Sequence, residues 1–232
     1  MKRFTILSAI TSALFITACS SNEIGNSKDV NPETVYMDYA IDYTEGDDSV
    51  TCFLQYRFAG ENGTTLVLTN PSKTAIDGKE IMVDSSGFTG AYYQQKFEAR
   101  NFTGAHTITF TDINGKEYAE QFSFKPFAIL AKTTALSRNN FTLQLSEPLP
   151  SNALHISIAD TSSTTDDVNF IDTVRAGNTC TITPLQLQQL KNGPVTIQIT
   201  GNISTALQNP SKEGGKLHIT YTLKPIETEL KD

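Results

Sequence analysis

The chain has no tryptophan, and only three cysteines, three methionines and three histidines among 232 residues. Phenylalanine and tyrosine therefore carry every aromatic contact, and any sugar-stacking surface must be built without indole. Three cysteines are too few for a disulfide framework. The histidines stand apart in strand-like stretches, and Gly-x-Ser-x-Gly, His-Glu-x-x-His and phosphate-cradling glycine loops are all missing. These absences exclude the recognisable hydrolase, zinc-protease and nucleotide sites. Positive charge is also scarce, with 18 Lys and Arg against 25 Asp and Glu. Such a chain is a poor partner for nucleic acid and gains nothing electrostatically at an anionic lipid surface.

Long apolar runs are missing except at the start, where Lys2 and Arg3 precede the run from Phe4 to Ile16. Thirteen residues fall short of the roughly 20 that span a bilayer, so the segment reads as an export signal. The run ends in Ile16-Thr17-Ala18-Cys19. That string resembles the lipobox of bacterial lipoproteins. The resemblance implies cleavage between Ala18 and Cys19, acylation of the Cys19 thiol, and an anchor of several acyl chains that holds permanently where one would not. Ser20 replaces the aspartate that favours inner-membrane retention in many such lipoproteins, so the expected location is the outer membrane, on either face. An ordinary secretory signal cut after Ala18 is the alternative, and it exports the protein equally.

Removing residues 1–18 leaves 214 residues with 16 basic and 25 acidic side chains. That is about twice the ~100 residues of one β-sandwich domain, which predicts two. Residues 19–32 read as the lipidated terminus and a flexible tether, because 20–31 are polar and have no period. From Val35 the period is two: Val35, Met37, Tyr39, Ile41 and Tyr43 alternate with a more polar set. Strands are expected at 50–58, 65–68, 79–83, 92–98, 106–111 and 117–124 in a domain spanning 33–127. Asn114-Gly115 supplies the turn of the last hairpin. A second domain over 128–226 has strands at 141–145, 154–158, 169–174, 179–182, 195–200 and 217–223, packed end to end with the first. Thr183 and Pro184 begin one short helix whose leucines 185, 187 and 190 would cover the open end of the core, before Asn192-Gly193-Pro194 stops it. Residues 227–232 read as a polar tail. The expected fold class is all-β.

Cys52 and Cys180 fall in phase with apolar neighbours and read as small core residues, not a disulfide pair. His106 shares a face with Ile108 and Phe110. His155 and His218 take the polar phase and could meet on adjacent strands to hold a metal, but no third ligand is indicated. Two acidic loops offer oxygens to calcium, Asp42, Glu45, Asp47 and Asp48 in one and Asp160, Asp166 and Asp167 in the other, without a known calcium-loop spacing. Solvated turn residues are the simpler reading, and no cofactor or metal is expected. Phe53 sits in the polar phase of its strand, and Tyr92-Tyr93 must send one ring to each face; contact with the second domain or a covering loop is the favoured reading of these aromatics, and a sugar or protein surface the alternative.

Lipobox, tether and strand rhythm together resemble bacterial envelope lipoproteins built from two tandem immunoglobulin-like β-sandwich domains. The resemblance implies location and architecture. The expected function is a non-enzymatic binding or adhesion module for an envelope protein or a glycan. A scaffold subunit of an envelope complex is the alternative, and a hydrolase with dispersed carboxylates a more distant one.

Overall fold

A computed structural model describes residues 23–130, 136–139, 141–150, 153–160, 168–172, 177–188 and 190–232. Ala18, Cys19, Asp166 and Asp167 lie outside the described residues. The first half carries β1 (Ile24–Asn26), β2 (Val35–Thr44), β3 (Ser49–Phe58), β4 (Thr64–Val67), β5 (Lys73–Ile76), β6 (Lys79–Glu80), β7 (Val83–Ser86), β8 (Gly90–Glu98), β9 (Gly104–Thr111) and β10 (Glu117–Phe124). The second half carries β11 (Leu136–Ser137), β12 (Phe141–Leu149), β13 (Leu154–Asp160), β14 (Val168–Asp172), β15 (Gly177–Ile182), α1 (Pro184–Leu187), β16 (Gly193–Ala206), β17 (Gly215–Thr222) and β18 (Ile226–Lys231). The fold is all-β, as the strand rhythm predicts.

Period two builds the core of the first half. Val35, Met37, Tyr39 and Ile41 of β2 and Val50, Cys52, Leu54 and Tyr56 of β3 are buried. Tyr56 joins two sheets, because its ring stacks 4.5 Å from Phe110 of β9 while its hydroxyl donates to Thr74 Oγ1 of β5 at 2.6 Å. The second sheet runs β10-β9-β5-β6, and the Asn114-Gly115 hairpin between β9 and β10 forms as predicted, with Gly115 at φ 81°. Asp112 accepts from the amides of Asn114 and Lys116, which locks that turn.

The two halves share one sheet. Its path is β1-β4-β3-β2-β17-β16-β13-β14, with β8 and β7 continuing from β3 and with β18 on β16. β17 lies parallel to β2, from Gly215 beside Met37 to Thr222 beside Thr44. Inward residues of both strands fall in step, and Leu217, Ile219 and Tyr221 are buried like their neighbours on β2. Ser211 Oγ donates to Val35 O at 2.6 Å, and Gln208 N to Glu120 Oε2 at 2.8 Å. Gly215 is required at this seam, since a Cβ there would lie 2.6 Å from Leu207 Cδ1 and would strike the Met37 carbonyl. The end-to-end packing expected for 33–127 and 128–226 is therefore replaced along this hairpin by lateral strand pairing. Alternation reports which residues face inward and carries no record of which strand lies alongside.

Further differences have local causes. Ile24–Asn26, placed in the flexible tether, pairs parallel with β4, and the buried Ser27 Oγ accepts from Thr69 N at 2.8 Å. A three-residue strand is too short to show a period. The polar tail 227–232 is most of β18, which pairs with β16 and β11 and buries Leu230, its charges pointing outward. The single strand expected at 79–83 is two strands in different sheets, β6 and β7. α1 starts at Pro184 with Thr183 N donating to Gln186 Oε1 at 2.9 Å, and Leu187 and Leu190 are buried as expected. Leu185 is not, being 73% exposed, because one helical turn cannot put three leucines on one side.

Candidate functional site: the outer face of the shared sheet

The shared sheet has a solvent side as well as a core side. β8, β3, β2, β17 and the end of β16 lie next to one another, and the register places Gln94, Phe53, Ala40, His218 and Ser204 in one row across them. A second row holds Lys96, Thr51, Asp42, Thr220 and Asn202. Each residue here alternates with a core residue, which is why polar side chains occupy these positions.

Phe53 and Tyr92 are the aromatic exception. Their rings stack at 5.0 Å and 22°, both half-buried, while Tyr93 turns inward and its hydroxyl accepts from Leu68 N at 2.6 Å. The outward Phe53 and the split of the tyrosine pair thus follow the sequence reading, and the structure adds that the two outward rings touch.

Charge on this face is largely neutralised in place. Lys216 Nζ holds both Glu61 oxygens at 2.9 and 2.8 Å. Arg57 donates to Gln55 Oε1 at 2.6 Å and to Gly63 O at 3.2 Å, and Gln55 in turn donates to Thr89 O and Ala91 O. His218 Nε2 stands 3.8 Å from Asp38 Oδ1. Burial pushes the Asp38 carboxyl above its ordinary value, against the pull of His218, Arg57 and Lys216. A raised carboxyl pKa means that the fold favours the protonated form, so the contribution of Asp38 to stability falls as pH rises through the carboxylate range. Tyr36 is 7% exposed beside Arg57, and neither its hydroxyl nor Arg57 Nε has a hydrogen-bond partner.

The other candidate residues serve the fold. His106 is buried with Nδ1 2.7 Å from Asp77 Oδ2, Nε2 2.7 Å from Phe102 O, and its ring stacked 3.9 Å from Phe102. His155 and His218 do not meet: β16 separates their strands, with His155 beside Thr200 and His218 beside Ser204. The metal pair is thereby ruled out. Cys52 and Cys180 are buried thiols in β3 and β15, and burial pushes the Cys52 thiol up to about 12, far from thiolate chemistry.

Among the described residues no three His, Cys, Asp or Glu side chains gather to hold a metal. Glu45 Oε2 accepts from Lys224 N at 3.0 Å, and Asp160 Oδ2 from Lys191 N at 3.3 Å. Millimolar calcium is expected to leave the melting temperature unchanged in a thermal scan. A rise of several degrees would reinstate the calcium reading.

One concavity stands at the end of the first half, about 700 Å³ in volume and lined by Tyr43, Asp47, Asp48, Glu98, Arg100 and Phe124 among others. Arg100 is tied to Glu98 at 3.0 and 3.1 Å.

Sequence reasoning marks Phe53 and one of Tyr92 and Tyr93 as outward aromatics, favours their being covered, and misses Gln94, Asp38 and His218 as their neighbours. No linear signal marks them, because they meet only through strand register.

No protein-family model matches the chain, and no curated protein matches it. Solved structures to which it is similar include DIP-gamma IG1+IG2, at 10% identity over 81% of this chain and 94% of that one, with a TM-score of 0.23. The tetra-tandem repeat in the extending region of a large adhesion protein shares 10% identity over 85% of this chain and 49% of that one, at a TM-score of 0.26. The Bacteroides ovatus mixed-linkage glucan utilization locus protein SGBP-B, in complex with a mixed-linkage heptasaccharide, shares 11% identity over 87% of this chain and 65% of that one, at a TM-score of 0.21.

Proposed function

We propose that this chain is a non-enzymatic binding module of the bacterial cell envelope, released from its signal after Ala18, lipidated on Cys19, carried on the outer membrane, and built from immunoglobulin-like β-sandwich domains. Its ligand is an envelope protein or a glycan, taken on the outer face of the shared sheet. The observation that carries the reading is the Phe53–Tyr92 pair, two stacked rings kept at the surface among polar side chains. Burying such rings against a partner returns apolar surface that the fold itself leaves wet.

Photo-crosslinking in cells tests this. A benzophenone amino acid replaces Gln94, exposed on this face, and in a control chain Ser123, exposed on β10. Adducts of defined mass from position 94 and none from position 123 are expected. A chain that forms no adduct from position 94 in its own envelope does not use this face.

A further inference from the structure

Resting on that reading of the face, we propose that its ligand is a neutral oligosaccharide laid across the strands. One pyranose ring sits on the Phe53–Tyr92 pair, and Gln94, Asp38 and His218 read hydroxyl groups beside it.

Four observations select this chemistry. β3, β2 and β17 are paired on both sides where they carry the centre of the face, so an extended peptide can add a strand only at the margins, on β8 beyond Tyr93 or on β16 beyond Gly201, and not over the Phe53–Tyr92 pair. The apolar surface is confined to Phe53, Tyr92 and Ala40 within rows of polar side chains that include His218, Asp42 and Lys96. That is too little for a protein-docking patch, yet enough for the C–H face of one sugar ring. Lys216 and Arg57 are already held by Glu61, Gln55 and Gly63, Lys96 stands at the margin of a row that also carries Asp42, and the whole chain has a net charge of −7, which disfavours an anionic polysaccharide. Finally, Ala40 stands between Phe53 and His218, so the floor is lowest at the centre of the row. The row from Gln94 to Ser204 crosses four strand spacings, about 19 Å at ~4.8 Å each, the reach of a short oligosaccharide.

A carboxylate and an imidazole 3.8 Å apart suit this role. Asp38 accepts from hydroxyls on its solvent side, His218 offers a ring nitrogen to the next, and neither requires the ligand to carry charge. The buried, unpartnered hydroxyl of Tyr36 lies one row further along, behind the Glu61–Lys216 pair. That pair closes one end of the surface, so the sugar chain runs across the strands and not along them.

Calorimetric titration of the full lipoprotein, in a detergent without a sugar headgroup, provides the test. The probes are cellohexaose, maltohexaose and mannohexaose, with polygalacturonate as the anionic comparison. At least one neutral hexasaccharide is expected to bind, with affinity reduced about tenfold in Tyr92→Ala and several-fold in Gln94→Ala. Gln94 is exposed, so its variant keeps the melting temperature of the parent and separates lost binding from lost fold. Binding of polygalacturonate in preference to all three neutral probes overturns the inference, as does neutral binding undiminished in both variants. If no neutral probe binds while position 94 still crosslinks to a protein, the sugar inference fails and the binding reading survives. If neither occurs, both fail.

Discussion

Replacing Tyr221 by alanine is expected to lower the unfolding free energy by about 3–5 kcal/mol, the cost of removing a large buried ring and leaving a cavity. Tyr221 is buried on β17, its ring 5.2 Å from Phe124 and 6.0 Å from Phe127, and its hydroxyl accepts from Lys125 N at 3.0 Å. One side chain of the second half therefore packs on the segment that links the halves and satisfies one of its amides. Alanine leaves that amide unpaired in a partly buried position. The melting temperature should fall on the order of 10 °C for a chain of this size. The parent should also unfold in one calorimetric transition, because β17 pairs with β16 on one side and with β2 on the other, carrying one ladder through both halves. Two separated transitions in the parent, with only one of them moved by Tyr221→Ala, would show that the seam between β2 and β17 is too weak to couple the halves.

Replacing Cys19 by serine is expected to abolish incorporation of radiolabelled palmitate and to remove the chain from the outer-membrane fraction. Each buried methylene of an acyl chain contributes about 0.8 kcal/mol to membrane binding, and several chains together make release negligible. No helix among the described residues is long and apolar enough to cross a membrane, and an acidic chain gains nothing electrostatically at anionic lipid. Palmitate label retained in Cys19→Ser would place acylation elsewhere and sink the lipobox reading. Protease added to intact cells then resolves the face: cleavage marks an external module, and protection until permeabilisation marks a periplasmic one.

Val35 to Ile41 mark β2 because four apolar side chains at period two must share a face, and Asn114-Gly115 marks its hairpin because Gly115 takes the positive φ that the turn needs. Cys52, Cys180 and His106 were correctly read as core residues from phase alone. Phase failed where strands are short or charged. Ile24–Asn26 and Ile226–Lys231 owe their strand state to neighbours already in place, β4 for one and β16 for the other. Their own propensities said loop and tail.

The candidate site divides the same way. That Phe53 and one of the two adjacent tyrosines face solvent follows from alternation, a property of a single strand. That Phe53 meets Tyr92, that Ala40 lies between Phe53 and His218, and that His155 stays apart from His218 are properties of register between strands far apart in the chain. By itself, then, the sequence determined the all-β class, the inward and outward sides of its longer strands, and the turn chemistry. Only the tertiary structure decided that β17 inserts beside β2 and makes two halves share one sheet. Local periodicity is set by covalent geometry within each strand, whereas the choice of neighbour is set by which buried faces and backbone edges satisfy one another across the whole chain.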